Sequence, residues 1–293
     1  MSPCFSPRTV SKRAWLAGAV SGLALAGGML AGYAFRIEPR WPEIVRVELP
    51  LLHLPPRFDG LTIAQISDIH AGAVVDAARI RRVVEMTNAV QAEIIVVTGD
   101  MFQNEPWEAQ MCAGELAALQ APLGVYAIMG NHERRIDDEL GEMPFRRAGL
   151  DVLCNAARQI VVDGASLWLV GVDDILMRRG DLGAAMRGVP RRGCKILLAH
   201  EPDYADMIAP YRAQFGAIDL QLSGHTHGGQ VRLPGIGPLL LPVLGRRYPM
   251  GLYRVGEMWL YTSRGVGVAY PPVRLGCRPE ISVLTLRSQG ERI

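Results

Sequence analysis

The segment LSGHTHGGQV, residues 222–231, places His225 and His227 two positions apart and surrounds them with glycine. A run of strand character, IDLQLS, leads into it. Imidazoles so placed suit metal binding, and glycine lets the backbone come close to an ion. Four other apolar runs stop in a similar way. LTIAQIS is followed by Asp68 and His70, EIIVVTG by Asp100, GVYAIMG by Asn131, His132 and Glu133, and KILLA by His200. Five of the six histidines sit at these places; His53, in LHLPPRF, has no such setting and reads as structural. Taken singly, an Asp after a strand is a turn or a helix cap. Five in order are a donor set of nitrogen and oxygen without sulfur, suited to Mn, Fe, Zn or Co. The set is too large for one ion and fits two ions sharing a carboxylate, the arrangement that clamps both oxygens in phosphoryl transfer.

Residues so far apart in sequence converge only if the strands carrying them are aligned. In open α/β sheets the carboxyl ends of parallel strands lie along one edge, where ligands bind. The pattern from Glu43 onward supports this, with EIVRVEL, LTIAQIS, EIIVVTGD and GVYAIMG as strands. The helix DAARIRRVVEMTNAV turns Ile80, Val83, Val84, Thr87 and Val90 to one side, with Asp76 as its cap. A second series, DVLCN, QIVVD, SLWLVGVDD, KILLAH, DLQLSG, MWLYTS and EISVLTL, has more strand–turn–strand character. Two sheets packed face to face with helices outside fit this order better than one doubly wound sheet.

The chain has 293 residues, 49% hydrophobic and 20% charged, with a formal net charge of +2. That balance, without a dense Lys/Arg stripe, disfavours nucleic acid as the main partner. Five scattered cysteines form no C-x-x-C pair and read as small buried hydrophobes. No phosphate-loop, H-E-x-x-H, nucleophile-elbow or Rossmann pattern is present.

Residues 14–35, AWLAGAVSGLALAGGMLAGYAF, carry no charge over about the length of a bilayer-crossing helix, after a basic segment, 1–13. They are expected to be a transmembrane anchor or signal helix in a bacterial-type cytoplasmic membrane, followed by a linker, 36–42, and one catalytic domain, 43–293. Arg8, Lys12 and Arg13 favour a domain outside the membrane, while Arg36 and Arg40 weaken that contrast. SKRAWLAG resembles a twin-arginine export signal with Lys in place of the first arginine.

The motifs D-x-H, GD, GNHE, a lone His after a strand, and GHTH, in that order, resemble the calcineurin-like metallophosphoesterases over nearly all of residues 60–287. ISDIHAG, LLAHEPD, GHTHGGQV, SRGVG and RPEISVLTL are similar to its membrane-associated YkuE/YaeI-like branch, which includes phosphodiesterases. The resemblance implies an α/β fold, a four-layer α/β/β/α sandwich. It implies that Asp68, His70, Asp100 and His227 hold one divalent ion, and Asp100, Asn131, His200 and His225 the other. A hydroxide bridging the two ions would attack phosphorus, and His132 would protonate or stabilise the leaving oxygen.

The expected substrate is a phosphodiester or pyrophosphate, lipid-linked if the anchor holds the site at a bilayer. Residues 235–256 combine Leu239, Leu240, Leu241, Leu244 and Tyr248 with Arg246 and Arg247, and read either as an apolar lip or as a loop packing its own leucines. Hydrolysis of UDP-2,3-diacylglucosamine, which some similar proteins perform, and a non-catalytic metal-binding scaffold are the alternative readings. Glu201 and Asp203 read as orienters of the ligands or as helix caps. Arg264 and Glu280 match the branch pattern without a role that the sequence supplies. The oligomeric state is open.

Overall fold

The computed structural model describes residues 12–289, and of the first helix, α1 (Lys12–Gly32), the side chains from Ser21 onward. The basic segment 1–13 therefore lies almost wholly outside the described residues, as do the side chains of the first part of the expected membrane segment. Among the described residues no helix is long and apolar enough to cross a membrane. From Ser21 to Gly32 the residues of α1 are exposed, Leu23 at 75% and Leu25 at 66%. A wider helical turn, Tyr33–Ile37, then brings the chain onto the domain, where Ala34, Glu38 and Pro39 are buried.

Two six-stranded sheets follow. The first contains β1 (Glu43–Leu51), β2 (Thr62–Ile66), β3 (Ile94–Thr98), β4 (Val125–Ile128) and β5 (Asp151–Val152). The second contains β6 (Ala156–Val162), β7 (Ala165–Gly171), β8 (Lys195–Leu198) and β9 (Leu220–Ser223). A small ribbon, β10 (Arg232–Leu233) with β11 (Gly237–Pro238), precedes β12 (Gly251–Val255), β13 (Met258–Thr262) and β14 (Glu280–Ser288). The spatial orders are β1-β14-β2-β3-β4-β5 and β12-β13-β9-β8-β7-β6. The strands β2, β3 and β4 are parallel, as are β7, β8 and β9.

Three apolar clusters make four layers of these parts. Between the sheets, Ile63, Ile94, Val96 and Ile128 meet Leu169, Ile196, Leu198 and Leu222. On the outer face of the first sheet, Ile66, Val97 and Ala127 are covered by α2 (Ala77–Ala89) and α3 (Pro106–Leu116). Ile80, Val83, Val84 and Thr87 of α2 are buried, and Asp76 caps the helix by accepting from the Arg79 amide at 2.9 Å. On the outer face of the second sheet, Val170, Val172 and Leu197 pack against Leu182, Ala185, Ala205 and Ile208. Strands with apolar residues on both faces are what parallel sheets covered by helices require.

Polar side chains interrupt this packing where the sheets approach the ligand edge. The Nε2 of Gln65 donates to Thr98 Oγ1 and to the Ser223 carbonyl, both at 2.9 Å, so it bonds one sheet to the other. Gln221 donates to Ser223 Oγ at 2.9 Å on the same edge.

Candidate metal centre

Every candidate ligand stands just beyond a strand, on the edge where β2, β3, β4, β8 and β9 all end. Asp68 and His70 follow β2, Asp100 follows β3, Asn131 and His132 follow β4, His200 follows β8, and His225 and His227 follow β9. All eight are buried. Their backbone is unusual: Asp68, His70, Asp100, His225 and His227 have φ of 51°, 49°, 53°, 71° and 52°. A side chain in this left-handed region costs on the order of 1 kcal/mol, and it persists only where its surroundings impose it. Here they do, since the amides of Asp68 and His70 donate to Gly99 and Asp100 carbonyls at 2.9 and 3.0 Å. The His225 amide donates to both oxygens of Asp68, at 2.9 and 3.0 Å.

Close approach explains two glycines. A Cβ on Gly99 would stand 2.6 Å from His200 Nδ1, and one on Gly130 would stand 2.7 Å from the Asp100 nitrogen. Any side chain there displaces His200 or Asp100.

The donors form two groups joined at Asp100. Asp68, His70 and His227 bring donor atoms within 4.8 Å of one another, and so do Asp100, His200 and His225. One oxygen, Asp100 Oδ2, lies 3.6 Å from His70 Nε2 and 3.3 Å from His200 Nε2. His227 Nε2 is 3.4 Å from Asp68 Oδ1 and 2.9 Å from His70 Nε2. A third group, His70, Asp100 and His132, is equally close, so His132 lies within donor reach of the same centre.

Hydrogen bonds aim the rings. His200 Nδ1 donates to the Thr98 carbonyl at 2.7 Å, which turns Nε2 toward Asp100 without a hydrogen-bond partner. His225 Nε2 donates to the Val243 carbonyl at 2.8 Å, leaving Nδ1 toward the centre. His132 Nδ1 bonds the Gln103 carbonyl, leaving Nε2 free. Asn131 Oδ1 and His70 Nδ1 are buried and also without partners. Unpaired buried polar atoms are rare, and His200 Nε2 and Asn131 Oδ1 are left without partners among the candidate ligands, as a cation-binding site requires. The donor set and these orphaned atoms fit divalent ions.

Electrostatics agree. Burial pushes Asp68 up to about 7 and lowers His70 to about 3 and His225 to about 4, so both rings are neutral near pH 7. His227 is also held well below its usual value by burial and by the neighbouring His70. At His200 burial opposes the charged form, but Asp100 outweighs it and holds the imidazolium well above the usual range. Asp100, buried too, is held well below the usual carboxylate range, with His200 the main cause opposing burial. A proton on His200 thus stands where a cation would.

Three residues to which sequence reasoning assigned no role build the site. Glu133, fully buried, accepts from the amides of Asp100 (2.9 Å), Met101 (2.7 Å), Phe102 (3.3 Å) and Gly130 (2.7 Å). Burial, then the charge of Asp100, raises it to about 8. Gln65 is the polar residue inside LTIAQIS described above. Arg274, completely buried, donates to the carbonyls of Arg264 (2.8 Å), Gly267 (2.8 Å) and Cys277 (3.0 Å), fixing the turn behind His227. A charge within an apolar PPVRLGC segment was its only signal.

The residues left without a role now have one. Glu280 accepts from Arg264 and Tyr261, and Arg264 also pairs with Glu43 at 2.8 Å, so they join β1, β13 and β14. Glu201 and Asp203 orient no ligand ring: Glu201 accepts from the amides of Ile175 and Leu176, and Asp203 from those of Arg246 and Arg247. His53 pairs with Asp219 at 2.7 Å, away from the centre. In the 235–256 loop Leu239 and Leu240 are exposed, Leu240 at 82%, whereas Leu241 and Leu244 are half-buried and Tyr248 packs against the second sheet's outer core.

Residues 61–229 match the model of the calcineurin-like phosphoesterase family. The chain is 32% identical to the uncharacterized metallophosphoesterase YkuE of Bacillus subtilis, over 96% of this chain and 99% of that protein. It is 30% identical to the phosphodiesterase YaeI of Escherichia coli, over 94% and 99%. A transmembrane protein with metallophosphoesterase domain from Danio rerio is 32% identical over 88% of this chain, which spans 60% of that longer protein. Among solved structures, the 5′-nucleotidase precursor of Thermus thermophilus aligns with a TM-score of 0.46 at 15% identity, over 77% of this chain and 54% of that one. The chain belongs to the calcineurin-like phosphoesterase family and is a metal-dependent phosphoester hydrolase.

Proposed function

We propose that the chain is a two-metal phosphodiesterase whose catalytic domain is residues 43–293. Asp68, His70, Asp100 and His227 would hold one divalent ion; Asp100, Asn131, His200 and His225 would hold the other. The observation that carries this reading is the position of Asp100 Oδ2, shared between His70 and His200. When bound, such a pair of ions lowers the pKa of water and neutralises charge on phosphate oxygens.

The chain's own residues supply the rest. Glu133 fixes the backbone that carries Asp100, and the Thr98 and Val243 carbonyls set the His200 and His225 rings. His132, with Nδ1 committed to Gln103, presents Nε2 to the leaving oxygen and gives it a proton. Burial of every ligand excludes bulk water and strengthens each of these interactions.

Membrane association through α1 is part of this reading. It is supported by the exposed Leu23, Leu25, Met29 and Leu30, and by the names of the transmembrane relatives.

The test is hydrolysis of bis(4-nitrophenyl) phosphate by Mn-loaded protein, with metal content measured on the same sample. Two ions per chain and turnover lost in Asp100→Asn support the reading. Full occupancy with no turnover of any ester would leave a metal-binding scaffold.

A further inference from the structure

A cavity of about 180 Å³ opens directly beside His70, and the reaction as described makes no use of it. Its walls are Ala73, Val74, Val268, Ala269 and Pro272, with Tyr270 at the rim. Tyr270 is 87% exposed and Val74 45%, so the cavity has an apolar mouth. Its inner side reaches Gln103, whose carbonyl holds His132, and the His132 ring stands edge-on to His70 with centroids 4.6 Å apart. The cavity therefore begins beside His70 and next to the carbonyl that positions His132, the group proposed to protonate the leaving alcohol.

The lining selects among occupants. Glu108 is its charged residue, and that carboxylate is committed to the amides of Asn104 and Glu105 at 2.7 and 2.9 Å. A carboxylate and an apolar wall repel a second phosphate or a nucleotide and accept an alkyl group. A few residues beyond the cavity-lining segment that ends at Pro272, the Arg274 amide donates to the Ala34 carbonyl at 3.0 Å, and the Cys277 amide to Glu38. The segment that lines the cavity is thus continuous with one tied to the chain leaving a helix whose described side chains are exposed and apolar.

We propose that this cavity binds the alkyl chain of the leaving alcohol, so that the substrates are amphiphilic alkyl phosphodiesters. This rests on the phosphodiesterase reading. Water attacks phosphorus, the bond from phosphorus to the alkyl-bearing oxygen breaks, and that oxygen leaves as the alcohol with the proton from His132. The chain enters along Val74 and Tyr270, its first carbons lie between Ala73 and Ala269, and the phosphate stays at the centre.

The experiment compares kcat/KM for dimethyl, butyl methyl and octyl methyl phosphate on the Mn-loaded full chain, following methyl phosphate by mass spectrometry. Burying a few methylenes should raise kcat/KM by about tenfold or more from dimethyl to butyl methyl phosphate. Ala269→Trp, checked for folding by circular dichroism, should bring that ratio close to one. A readout free of metal is saturation-transfer NMR with 1-butanol, the product alcohol, whose signal should be lost in Ala269→Trp. Equal turnover of all three esters by the wild type, or an unchanged ratio in Ala269→Trp, would overturn the cavity's role and leave the phosphodiesterase standing. No turnover of any ester by metal-replete protein would overturn both.

Discussion

Nε2 of His200 stands 3.3 Å from Oδ2 of Asp100, with the opposite nitrogen of the same ring committed to the Thr98 carbonyl. The pair holds a proton that an ion must displace. Asp68, at about 7, must lose its proton as well. Its raised value means it is protonated below pH 7, so metal affinity is present above that pH and is lost as pH falls through it. Calorimetric titration with Mn²⁺ should show affinity dropping at least about tenfold from pH 8 to pH 6, with protons released on binding. Affinity independent of pH would contradict this account of the donors.

His132 lies within donor reach of His70 and Asp100, yet the proposed role is proton delivery. His132→Gln should therefore keep both ions and lower kcat by about 10²- to 10⁴-fold. Metal analysis and steady-state kinetics on one preparation decide it. Loss of an ion would make His132 a ligand.

Glu133→Ala should unfold far more readily than the parent. Four buried backbone amides lose their acceptor, each at a cost of about 1–3 kcal/mol before relaxation. With partial relaxation the melting temperature should fall by about 10 °C, as followed by circular dichroism.

Gly130→Ala tests close approach without altering any charge. Its methyl group would press on Asp100, so both metal affinities should fall together while the far-ultraviolet spectrum stays unchanged. Weakening of one ion alone would show that Asp100 is not shared.

The candidate ligands could be gathered from the sequence because each follows a strand, and β2, β3, β4, β8 and β9 deliver their ends to one edge. Periodicity found the buried face of α2 and the Asp76 cap for the same local reason. Glu133, Gln65 and Arg274 were not legible, since their partners are backbone groups that only the assembled sheets bring near. The loop leucines illustrate the opposite difficulty. Composition gives Leu239 and Leu240 the same weight as core leucines, and only the tertiary structure turns them outward. The cavity beside His70 joins residues near 70, 103 and 270, a conjunction without sequence pattern.

The left-handed backbone at Asp68, His70, Asp100, His225 and His227 sets selection for the reaction against selection for folding. Glycine adopts that conformation more readily, but it brings no donor. In a lineage released from its chemical task, these five positions should drift first, toward glycine or asparagine, while the surrounding strands stay constant. A descendant of this fold that had lost catalysis would carry that loss as relaxed turns at the ends of intact strands.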